Sequence, residues 1–89
     1  VSSVAVCAGA AGRERLASPS TRRCDAVVTG EISHHQALAY SRAGLGAIAL
    51  GHWASERPVL PVVADRLTGA HPTLRVAVSR TDADPLAPL

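Results

Sequence analysis

His52 and Glu56 stand four residues apart in the stretch GHWASE, immediately after an apolar run, Gly46-Ala47-Ile48-Ala49-Leu50, that reads as a buried strand. A helix opening just past Gly51 sets both side chains on one face of its first turn, because residues i and i+4 are neighbours on a helix surface. Neutral imidazole nitrogen and carboxylate oxygen suit Zn, Fe, Mn or Ni, as ligands of one ion or as a bridge to a second. The other reading of the same spacing is a glutamate capping a helix with a histidine packed beneath it. A complete metal site takes three or four protein ligands, and this pair supplies two.

In open α/β sheets, ligands gather outside the carboxyl ends of the strands. Three such ends are legible: Gly9-Ala10-Ala11-Gly12, Gly30-Glu31 and Gly51-His52. Glu31, His35, His52 and Glu56 are therefore expected to share one cleft. Adjacent helix positions diverge by about 100°, so His34 and His35 are divided between two roles. His35 is read as facing the substrate or supporting the ligands, and His34 as surface. The GAAG turn has the small residues of a phosphate-cradling loop. The GxGxxG fingerprint is absent, however, and the chain holds no Lys for a Walker motif.

The elements that would position these residues follow from the apolar pattern. Nearly continuous runs at Val4–Ala8, Ala26–Thr29, Ala47–Leu50 and Leu74–Val78 predict strands covered on both faces. Val4–Ala8 carries no edge-protecting charge and is expected inside the sheet. Between the runs, Ser33–Ala43 predicts a helix with Ser33 as N-cap and Gly44 as its stop. Val59–Leu67 predicts another, ended by Gly69 and Pro72, with Pro61 bending its entry. The helix after Gly12 must be short, kinked or irregular, because Pro19 interrupts it. This alternation predicts an α/β fold with about four mostly parallel strands and covering helices. Residues 1–80 form the lobe, and 81–89 an extended polar tail.

Eighty-nine residues make one domain at most. The chain contains no Met and opens on a strand already under way, so a piece of a longer protein is expected. Net charge is +2, carried entirely by scattered arginines with no stripe and no interleaved aromatics, which argues against nucleic-acid binding. No apolar run approaches the ~20 residues that span a bilayer. Cys7 and Cys24 lack CxxC spacing and are expected to be reduced, in a cytoplasmic protein.

CDAVVTGEISHHQAL, GHWASERPVLPVVADRL and the ending SRTDADPL together resemble the carboxyl-terminal half of the Nif-three-like family, the dinuclear-metal-centre proteins also called GTP cyclohydrolase I type 2 homologues. The match runs over essentially the whole chain, and the GH-aromatic-(A/S)-(S/T)-E motif is its specific part. The resemblance implies one lobe of a two-lobed fold, assembled as a homohexamer, with two divalent ions between the lobes. His52 and Glu56 are then metal ligands, and the amino-terminal lobe of the same protein supplies the rest. Two functions are compatible with it. One is a metal-dependent hydrolase of a small phosphorylated or nucleotide-like substrate, with Glu31 and His35 orienting water or substrate. The other is a non-catalytic metal-binding interaction or regulatory protein.

Overall fold

The computed structural model describes residues 1–11 and 18–86 of the chain. Gly12 and the opening of the helix expected after it lie outside the described residues. The order is β1 (Val4–Ala10), α1 (Pro19–Arg22), β2 (Ala26–Glu31), α2 (His34–Arg42), β3 (Gly46–Ala49), α3 (His52–Glu56) and α4 (Val59–Ala70). The three strands form one parallel sheet in the order β1-β2-β3, the α/β architecture that the alternating pattern predicts.

Local chemistry accounts for most element ends. Pro19 fits the first turn of a helix only four residues long, where its missing N–H costs nothing. Ser33 and Gln36 form a reciprocal capping box that starts α2 at His34. Pro58 is the N-cap of α4 and Pro61 its third residue. The N–H that Pro61 lacks is thus one of the four that have no partner inside any helix. Pro61 therefore removes no bond that the helix would otherwise make, and α4 continues beyond Leu67 to Ala70.

The sheet differs from expectation in two ways. Leu74–Val78 adds no strand; residues 76–79 instead lie along α4, sharing a shallow apolar groove with Leu60, Val63, Ala64 and Leu67. Without that fourth strand β2 is central and β1 is an edge, contrary to the interior place expected for Val4–Ala8. Nor are both faces covered. The core is Val27, Tyr40 and Leu45, with Ala5 and Ile32 packed against it, so α2 closes one face. On the other face the register sets Val6, Val28 and Ile48 in one cross-strand row, with Val6 78% and Ile48 53% exposed.

Asp25 ties the amino-terminal ends of the strands together. Its carboxylate accepts from the Ser2 and Ser3 backbone N–H groups at 2.7 and 2.8 Å, and its carbonyl accepts from Gly46 N–H at 2.9 Å. The Ser2 bond above all, then the two from Ser3, hold its pKa below the ordinary 3.8. A carboxylate with a depressed folded pKa contributes stability above its unfolded value and loses it as pH falls through the folded one. Asp25→Ala is therefore expected to lower the urea midpoint at neutral pH and to flatten the acid side of the stability profile below 3.8. Leu45→Ala, which empties a third of the core, is expected to cost about 2–4 kcal/mol in the same titration.

Candidate functional site

The carboxyl ends of β1 and β2 and the start of α3 meet at one point. Ser55 joins them: its hydroxyl accepts from Gly9 N–H at 2.9 Å and donates to the His52 carbonyl at 2.8 Å. Gly30, near the end of β2, lies so close that an added Cβ would sit 2.5 Å from both Ser55 Oγ and the Gly9 carbonyl oxygen. Gly9 itself has φ +70°, and a Cβ there would fall 2.5 Å from Glu56 Oε1 and 3.4 Å from His52 Nε2. The two glycines thus admit a short helix directly onto the ends of the strands.

On that helix, His52 lies between two carboxylates. Nδ1 is 3.2 Å from Glu31 Oε2, and Nε2 is 3.2 Å from Glu56 Oε1. All three side chains are about half exposed. Glu31, expected to orient water or substrate, faces the imidazole. His35 is not brought to the group: it lies exposed in the first turn of α2, its ring edge-on to His34 at 6.1 Å. The Glu31 hydrogen bond, and next the charge of Glu56, hold the His52 pKa above its ordinary 6.5.

The fit to a metal ion can be judged from the donors. Two ligands about 2.1 Å from one ion are about 3.4 Å apart at a tetrahedral angle and about 3.0 Å apart at a right angle. The 3.2 Å between Nε2 and Oε1 suits either geometry. Among the described residues, no group of three or more His, Cys, Asp and Glu side chains is arranged to hold an ion. The chain thus presents a donor pair rather than a closed site.

Beside Glu56 opens a cleft of about 540 Å³, lined mainly by Ala8, Trp53, Val59, Leu60, Arg57 and Asp82. Its floor is a clamp that the sequence reading missed. Asp82 Oδ2 accepts from Trp53 Nε1 and pairs with Arg57 Nε, each at 3.0 Å, and Arg57 Nη2 donates to the Ser79 carbonyl at 2.7 Å. The stretch read as a free extended tail is held at residues 79–82 by the helix that carries His52. The signal was the arginine directly after Glu56, together with the acidic residues of TDAD. Ser55 was also passed over, as one serine among several.

A parallel α/β unit that gathers an imidazole and two carboxylates beyond its strand ends is the kind of protein this geometry defines. The chain belongs to the Duf34/NIF3 (NGG1p interacting factor 3) family, whose model matches residues 1–85. It is 36% identical over 91 residues to a NIF3 homolog of Schizosaccharomyces pombe, covering 97% of this chain and 31% of the relative. It is 40% identical over 86 residues to a GTP cyclohydrolase 1 type 2 homolog of Mycobacterium leprae, covering 92% of this chain and 22% of that protein. A protein of the same name from Mycobacterium tuberculosis matches to the same extent. The chain thus spans less than a third of the length of these relatives. No solved structure gives a significant match. Among the described residues, no helix is long and apolar enough to cross a membrane.

Two outcomes follow from this geometry. Gly30→Ala is expected to destabilise by about 1–3 kcal/mol, the cost of forcing a methyl into a packed contact, and to move the His52 ring signals in NMR spectra. A histidine with a raised folded pKa contributes stability fully below its unfolded value and loses it as pH rises through the folded one. NMR titration should place the His52 transition above 6.5, and Glu31→Ala should lower it more than Glu56→Ala does.

Proposed function

We propose that this chain is the carboxyl-terminal lobe of a dinuclear divalent-metal protein, to which it contributes His52 and Glu56 as ligands. The observation that carries the reading is the Nε2–Oε1 pair, at ligand spacing, beside a glycine whose missing Cβ lets the pair sit against the end of β1. The other ligands belong to the amino-terminal lobe, in keeping with the chain's share of its relatives' length. The metals are Zn, Fe, Mn or Ni, the ions that imidazole and carboxylate donors suit.

The activity that fits best is hydrolysis of a small phosphorylated or nucleotide-like substrate, a class to which the names of the mycobacterial relatives also point. Two divalent ions would lower the pKa of water enough to supply hydroxide near neutral pH. The chain's own part is to hold two donors at the mouth of the cleft and to offer Trp53 and Leu60 as apolar walls for the substrate. Homohexamer assembly belongs to the same proposal. The exposed Val59, Val62, Val63 and Leu67 of α4 give neighbouring lobes or subunits apolar surface to cover.

Calorimetric titration with Zn²⁺ or Mn²⁺ tests the divided site. The 89-residue chain is expected to bind weakly, since two ligands neither exclude water nor fix a geometry. A longer form carrying the amino-terminal lobe should bind two ions tightly, and His52→Ala or Glu56→Ala in that form should abolish it. Tight binding of two ions by the 89-residue chain alone would overturn the proposal.

A further inference from the structure

A neutral imidazole carries one proton on two nitrogens, and the hydrogen bond made by one nitrogen decides what the other presents. His52 has a carboxylate at each, both at 3.2 Å. Glu31 and Glu56 therefore compete for a single N–H whenever the ring is neutral. The outcome decides whether Nε2 offers a lone pair or a hydrogen.

The two carboxylates differ in how they are held and in what lies beside them. Glu31 ends a sheet strand: it is paired in register with Ala10, and its carbonyl accepts from Ala11 N–H at 3.1 Å. Glu56 ends a five-residue helix and lines the open cleft, whereas Glu31 does not. The Nε2–Glu56 pair packs over the bare backbone of Gly9, where a Cβ would fall 2.5 Å from Glu56 Oε1. The edge of His52 beside the open cleft is thus Nε2 with Glu56, and the edge beside the strand-anchored carboxylate is Nδ1 with Glu31.

We propose that Glu31 is a positioning residue, which holds the His52 proton on Nδ1 and so leaves the Nε2 lone pair free beside Glu56 Oε1. This rests on the reading of His52 and Glu56 as metal ligands. Glu31 acts through the imidazole, touching neither ion nor substrate. Its anchorage in β2 makes the orientation a property of the sheet rather than of the short helix. Without Glu31, the acceptor left beside the ring is Glu56. The proton then settles on Nε2, where it blocks the nitrogen that a metal needs.

The test uses the 89-residue chain labelled with ¹⁵N. Long-range ¹H–¹⁵N spectra, recorded above the pH at which the ring loses its charge, report which nitrogen is protonated, with no metal present. Zn²⁺ titration of the same samples reports affinity. The wild type is expected to carry its proton on Nδ1. Glu31→Ala should move it to Nε2 and weaken Zn²⁺ binding about 10–100-fold, the usual loss when a ligand's hydrogen-bond partner is removed. Glu31→Gln, which keeps an acceptor oxygen, should retain the Nδ1 proton and most of the affinity. A purely structural role for Glu31 would lower affinity without moving the proton. A wild-type ring protonated on Nε2 would overturn the proposal without recourse to any variant. So would Glu31→Ala protein that keeps both the Nδ1 proton and wild-type affinity, while leaving the metal reading intact. Absence of Zn²⁺ binding both here and in the longer form would remove the metal reading and this role with it.

Discussion

The hydroxyl of Ser55 is the joint between the sheet and the residues that can do chemistry. It accepts from the Gly9 N–H near the end of β1 and donates into the carbonyl at the start of α3, so one oxygen fixes a strand end and a helix start together. The joint closes only because Gly9 and Gly30 lack side chains where strand, turn and helix converge. α3 has five residues, too few to hold itself as a helix in water. Its direction, and hence that of His52 and Glu56, is imposed from outside by this contact and by the Arg57–Asp82 clamp.

Much of the architecture was legible where local chemistry decides. Ser33 with Gln36 marks the start of α2, and the apolar runs before Gly30 and Gly51 become β2 and β3. The meeting of His52 with Glu31 was legible as well, because parallel strands bring their carboxyl ends to one side. The fourth strand was not. Leu74–Val78 has strand composition, but pairing depends on a free sheet edge within reach, a long-range condition that no local pattern carries. His35, placed in the cleft because it follows a strand end, lies exposed in the first turn of α2 with its ring edge-on to His34. The clamp stayed hidden because it joins residues up to 29 positions apart.

The apolar surface left open is as informative as the core. A compact chain of this length has a radius of gyration of about 12 Å, and this one has 16.4 Å. The excess arises where α4 and residues 76–79 pack on each other rather than on the sheet. Among the described residues, Val6 and Ile48 stay exposed on one face of the sheet, and no strand pairs with the far side of β1. The cluster of Val27, Tyr40 and Leu45 makes a small core, and the apolar area displayed elsewhere is surface that a covering neighbour would remove from water.

The Arg57 clamp has a mechanical side. Trp53 and Arg57 grip residues 79–82 from the same single turn of helix that carries His52 and Glu56. That turn has only five residues, so a pull on residues 79–82 acts on it as on a lever pivoted at Ser55. Displacement of residues 79–82 would rotate the His52–Glu56 edge relative to the strand ends, which are paired in the sheet. Residues 79–82 are in this sense a handle on the spacing of two side chains that lie far from them in sequence.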